Sequence, residues 1–166
     1  MSSILLLLGA LSARAEDTCT AVPDPDGPLR TIQVSQIPAL VAEHKGCVVL
    51  LELYASWCGT CTKTAPAVTE LVGRLQPEGL VPIGVSVDSS TERMQAWRQS
   101  HGREYAPVVL ESWTLGSLTQ QFSELGVTFN EAIPLFVLFD KDGNAVLHLT
   151  EPKDLSVLEE RARGLF

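Results

Sequence analysis

Two cysteines spaced three apart, Cys58 and Cys61, are the residues of this chain best suited to chemistry. A thiolate attacks disulfides, and a second thiol one helical turn away can close a disulfide with the first. The elements around them must supply the position. The run Val48-Val49-Leu50-Leu51-Glu52-Leu53-Tyr54-Ala55 is apolar but for one residue. It reads as a strand buried on both faces. Beyond it, Cys61, Ala65, Val68, Val72 and Leu75 recur at steps of four, three, four and three. That spacing predicts one face of an α-helix, ended by Pro77 and Gly79. Cys58 therefore falls at a helix N-terminus, at the carboxyl end of a buried strand. Unpaired N–H groups and the helix dipole favour an anion there. Cys58 is expected to ionise more readily than a free cysteine.

Other uses of the pair fit less well. A structural zinc site needs four ligands in two close pairs. Cys19 and Cys47 are not so spaced, and no metal is expected. A c-type haem needs His directly after the second cysteine, where Thr62 stands. An inert disulfide across three residues would close too small a loop to gain much. A dithiol redox site is the reading that remains.

The stretch Glu52 to Pro66 resembles the active-site segment of thioredoxin-fold proteins. Tyr54-Ala55-Ser56-Trp57-Cys58-Gly59-Thr60-Cys61 matches aromatic-Ala-x-Trp-Cys-x-x-Cys, and Pro66 matches the proline of the family's active-site helix. Ile133-Pro134-Leu135-Phe136-Val137-Leu138-Phe139-Asp140-Lys141-Asp142-Gly143 resembles the second hallmark, a cis-proline leading into a strand with a turn after it. The resemblance runs from about residue 45 to the end. The length between the motifs is similar to the periplasmic TlpA/ResA-type branch.

The resemblance implies roles. Cys58 would be the attacking thiol and Cys61 the resolving one. Glu52, six before Cys58, stands where the family has a buried Asp that moves the proton of the second cysteine. A carboxylate in a buried strand is costly unless paired or protonated. The alternative is a Glu52 that reaches the sheet edge and binds water or a Lys. Pro134 in a strand pattern lacks the N–H a ladder requires. A cis Ile133–Pro134 bond would account for it. Ile133 would then offer backbone groups to an extended partner, and Trp57 would be a partly exposed apolar platform. Tyr54 could be core or site wall. His44, His101 and His148 fall in no motif.

The remaining chain frames the pair. A length of 166 residues allows one domain with a real core. A net charge of −8 argues against nucleic acid. Residues 1–15 read as a secretory signal peptide, with an apolar core at 4–11 and Ala13-Arg14-Ala15 before the cut, although Met1-Ser2-Ser3 carries no basic residue. Cys19 lacks the context of a lipid-modified cysteine, so a soluble exported protein is expected. Residues 16–44 form an arm with a short helix, and 45–166 the thioredoxin-like domain. In an oxidising compartment Cys19 and Cys47 would tend to pair, tying the arm to the sheet. Two independent thiols are the alternative.

Expected elements are a strand at 29–34, a helix capped by Ser35 running to Lys45, and a strand at 80–87. A helix with Ser89 and Glu92 as capping box follows, with Met94 and Trp97 inward. Then come a strand at 105–110 and a helix through Leu115, Leu118, Phe122 and Leu125. The chain closes with a hairpin around Asp142-Gly143 and a helix capped by Asp154. This order predicts an α/β fold of thioredoxin type, a mixed central sheet with helices on both faces. Sites in parallel sheets lie at the carboxyl ends of strands, where Cys58 falls.

The function expected is that of a periplasmic thiol–disulfide oxidoreductase. It would act as a reductant of the kind used in cytochrome c maturation or thiol homeostasis. No cofactor is needed. Its partners would be client proteins with thiols or disulfides and a membrane electron donor that re-reduces the pair, and the chain would be a monomer. The rival is a carrier of the same fold binding Cu(I) through the two thiolates. Extra Met or His ligands would favour it, but the two methionines are at positions 1 and 94. A peroxidase fits less well, because Ala55-Ser56-Trp57 replaces the threonine context of a peroxidatic cysteine.

Overall fold

The computed structural model describes Cys19, residues 27–102, Tyr105 and residues 107–166. The expected signal peptide, and residues 16–18 and 20–26 of the arm, lie outside those residues. The apolar run becomes β2 (Val48–Tyr54), buried at every position. It can be buried throughout because both its edges and both its faces are covered. It pairs in parallel with β3 (Leu80–Ser86) and antiparallel with β5 (Leu135–Phe139). β1 (Arg30–Ile32), β4 (Pro107–Leu110) and β6 (Ala145–Thr150) complete a six-stranded mixed sheet in the order β1-β4-β3-β2-β5-β6.

The pleat divides the residues of β2 between two cores. Val49, Leu51 and Leu53 join a cluster with Ile37, Leu40 and Val41 of α1 (Ile37–Ala42) and Leu118 and Phe122 of α4 (Leu115–Glu124). Val48 and Leu50 join the opposite cluster, with Val68, Leu71, Val72 and Leu75 of α2 (Gly59–Leu75) and Leu158 and Ala162 of α5 (Ser156–Arg163). α3 (Thr91–Ser100) lies beside α2, since its Trp97 indole N–H donates to Thr62 Oγ1 at 3.0 Å. Right-handed crossovers β2-α2-β3 and β3-α3-β4 place these two helices on one face. Glu52 has the parity of Val48 and Leu50, so it lies on the face that carries α2.

Three local expectations need correction. Ser35 does not cap α1. It lies inside a 3-10 turn, Val34–Gln36, closed by reciprocal bonds between Gln33 and Gln36, and α1 starts only after it. Ser90, not Ser89, caps α3, its hydroxyl accepting the Arg93 N–H at 3.3 Å. Both serines offer the same chemistry, and the register of the helix selects the second. β4 begins at Pro107 rather than at Tyr105, whose side chain is engaged elsewhere. Asp154 stands one residue before Leu155, the N-cap of α5, and its carboxylate accepts the Ser156 N–H at 2.9 Å. Pro66 lies inside α2 without ending it. The β5–β6 hairpin turns through Gly143 at φ +86°, a conformation that favours glycine. There the Asp140 carboxylate accepts N–H groups of Asn144 and Asp142, which holds its pKa below the usual carboxylate range.

Cys19 and Cys47 form a disulfide, with Cα atoms 5.5 Å apart and a sequence separation of 28. Cys47 immediately precedes β2, so the bond fastens the N-terminal segment to the start of the central strand. On the loop-entropy account a crosslink of this length is worth about 3–4 kcal/mol. Cys19→Ser paired with Cys47→Ser should lower unfolding stability in denaturant by about that amount. Non-reducing mass mapping of the protein produced in an oxidising compartment should show a Cys19–Cys47 peptide. Free thiols at both positions would contradict the bond.

Candidate active site

β2 ends at Tyr54, and four residues later Cys58 takes the N-cap position of α2 in an extended conformation. Its Sγ accepts the Cys61 backbone N–H at 3.0 Å, one of the unpaired donors of the first turn. No acidic residue stands in that turn to offset the helix dipole. Cys58 and Cys61 are joined in a disulfide with Cα atoms 5.2 Å apart. Cys58 is 7% exposed and Cys61 fully buried, so an incoming sulfur reaches Cys58.

The turn before Cys58 is fixed from the neighbouring strand. Buried Asp88, just past β3, accepts the Ser56 N–H at 2.8 Å, the Ser56 hydroxyl at 2.5 Å and the Ser86 hydroxyl at 2.7 Å. These bonds carry the position of β3 into the residues that present the dithiol. In sequence Asp88 is only the residue that follows the strand expected at 80–87, and it falls in no motif. Trp57, the next residue along, is 59% exposed. Tyr54 is core, stacked on Trp97 with ring centroids 5.2 Å apart.

The opposite wall comes from the loop before β5. The Ile133–Pro134 peptide is cis, and the Ile133 carbonyl oxygen lies 3.5 Å from Cys58 Sγ. The Pro134 carbonyl accepts the Glu151 N–H at 2.9 Å, and Thr60 donates to the Glu151 carboxylate at 3.3 Å. The rim thus joins the first turn of α2 to the end of β6. Cys58, Trp57, Ile133 and Pro134, separate in sequence, meet in one surface region.

Glu52 lies on the α2 face of β2, two residues before the end of the strand that leads to Cys58. It is 2% exposed and held mid-strand between Gly84 of β3 and Phe136 of β5. It does not reach a sheet edge. The Tyr105 hydroxyl donates to its carboxylate at 2.5 Å. His101 stacks on Trp97, and His44 is half-buried, which lowers its pKa chiefly through desolvation.

This fold and dithiol define a thiol–disulfide oxidoreductase of the thioredoxin type. The chain belongs to the AhpC/TSA family, whose profile matches residues 20–148. Solved structures show the same fold. The thioredoxin domain of a thiol-disulfide oxidoreductase from Bacteroides vulgatus is 20% identical, with 72% of this chain and 81% of that one covered and a TM-score of 0.61. A thioredoxin-family thiol:disulfide interchange protein from Chlorobium tepidum is 18% identical over 87% and 97% of the two chains, TM-score 0.61. A secreted Mycobacterium tuberculosis disulfide oxidoreductase, described as homologous to E. coli DsbE, is 17% identical over 75% and 86%, TM-score 0.57.

Proposed function

We propose that this chain is an exported reductant of protein disulfides, recharged by a membrane electron donor. The observation that carries the reading is the placement of the dithiol. Cys58 lies beside the Ile133 carbonyl that precedes the cis-proline and next to the exposed Trp57, with the buried Glu52 carboxyl on the same face of the sheet as α2. In the reduced protein the Cys58 thiolate attacks a client disulfide. One client sulfur leaves as thiolate, and the other is held in a mixed disulfide with Cys58. Glu52 takes the proton of Cys61. The Cys61 thiolate then attacks Cys58 Sγ, forming the Cys58–Cys61 disulfide and releasing the second client sulfur. Two electrons pass to the client, and the donor returns them. The Ile133 carbonyl, beside the reacting sulfur, is placed to accept from an extended client backbone.

The Cys19–Cys47 bond fits an oxidising compartment. The structural neighbour from M. tuberculosis is described as secreted, and another, from Streptococcus pneumoniae, as an exposed lipoprotein. The resemblance of the motif spacing to the TlpA/ResA-type branch is what suggests a role of the cytochrome c maturation type. A carboxylate under the dithiol opposes a second anion, which disfavours the reduced thiolate and favours the reducing direction. The pair should therefore equilibrate with a dithiol buffer at a potential below about −200 mV, on the reducing side of protein disulfide isomerase. A value near about −120 mV, that of a strong oxidant, would reverse the assigned direction.

A further inference from the structure

We propose that Tyr105 is the positioning residue of the Glu52 proton relay, and that Gly84 is glycine so that the tyrosine ring can reach it. The inference rests on the relay proposed above. Tyr105 is 3% exposed and 53 residues from Glu52 in sequence. Its hydroxyl donates to Glu52 Oε2 at 2.5 Å. Its ring crosses the sheet directly over Gly84, the β3 residue paired with Glu52. A Cβ at Gly84 would sit 2.0 Å from Tyr105 Cε2, 2.8 Å from Cδ2 and 3.0 Å from Cζ. Any side chain at 84 would displace the ring that carries the hydroxyl. The Tyr105 backbone is anchored too, since buried Arg98 of α3 donates its guanidinium to the Tyr105 carbonyl.

The bond has a chemical consequence with a definite sign. A hydroxyl donor stabilises the carboxylate over the carboxylic acid, against the burial that disfavours the charge. Tyr105 thus keeps Glu52 able to accept a proton, and it fixes which oxygen is engaged and which way the carboxyl points. The titratable and charged side chains on the elements packed against this part of β2 include Tyr54 of the same strand, the Cys58–Cys61 pair at the start of α2, Arg98 of α3 and Asp88 beyond β3. Tyr105→Phe leaves all of them in place and removes only the donor.

The test is single-turnover kinetics of Tyr105→Phe with a peptide disulfide, following formation and decay of the mixed disulfide separately from pH 6 to 9. Formation should stay near wild type. The rising limb of decay should move up by about one pH unit, as expected for the loss of a hydrogen bond to a charged acceptor. Gly84→Ala should shift the same limb in the same direction. In a Glu52→Gln background, Tyr105→Phe should add nothing to the decay profile. If Glu52→Gln slows decay while Tyr105→Phe leaves its pH profile in place, the positioning role is overturned and the relay stands. If Glu52→Gln itself leaves decay unchanged, the relay falls and the role of Tyr105 falls with it. A purely structural tyrosine would lower the denaturation midpoint without moving the limb.

Discussion

Cys58→Ser will reduce insulin disulfides no faster than the uncatalysed background, while Cys61→Ser will accumulate mixed disulfides with its clients. The asymmetry follows from the geometry. Cys58 is the partly exposed sulfur at the helix N-terminus, and Cys61 is buried one turn deeper. Serine at 58 removes the attacking sulfur, and no hydroxyl replaces a thiolate at neutral pH. Serine at 61 leaves the attack intact and removes the group that resolves it. Turbidity of precipitating insulin reads the first variant, and a non-reducing gel reads the second. Full activity in Cys58→Ser would show the nucleophile to be another residue.

The second large effect concerns Glu52. Glu52→Gln keeps the shape and removes the proposed proton acceptor. Attack by Cys58 should change little near neutral pH. Resolution by Cys61 should slow about 10²-fold or more, the range of a lost acid–base group. Stability should hold or rise, because a buried carboxyl becomes a neutral amide that still accepts the Tyr105 hydroxyl. Stopped-flow measurement of mixed-disulfide decay checks this. Unchanged decay from pH 6 to 9 would assign the proton to water or another group.

Much of this was legible along the chain because it is local. The unbroken apolar run of β2 and the four-three spacing of α2 state their own periods, and together they set Cys58 at a strand end and helix start. Pro134 announced itself by standing where a ladder donor was needed. What stayed hidden depends on contacts between distant residues. Nothing near Tyr105 in sequence tells that its hydroxyl reaches a carboxyl 53 residues away, or that Gly84 clears its path. Asp88 and Ser56, 32 residues apart, are joined only once β2 and β3 pair. The adjacent serines 89 and 90 show the other limit. Both satisfy the chemistry of a cap, and the packing of α3 decides between them.

Cys58 is proposed to be the sulfur that bonds to clients and Cys61 the one that releases them. The most direct measurement is mass mapping of the adduct formed when reduced Cys61→Ser meets a peptide disulfide. The adduct should sit on Cys58, in about one equivalent per chain, and should vanish in the Cys58→Ser, Cys61→Ser double variant. An adduct on Cys19 or Cys47, or none at all, would contradict the account.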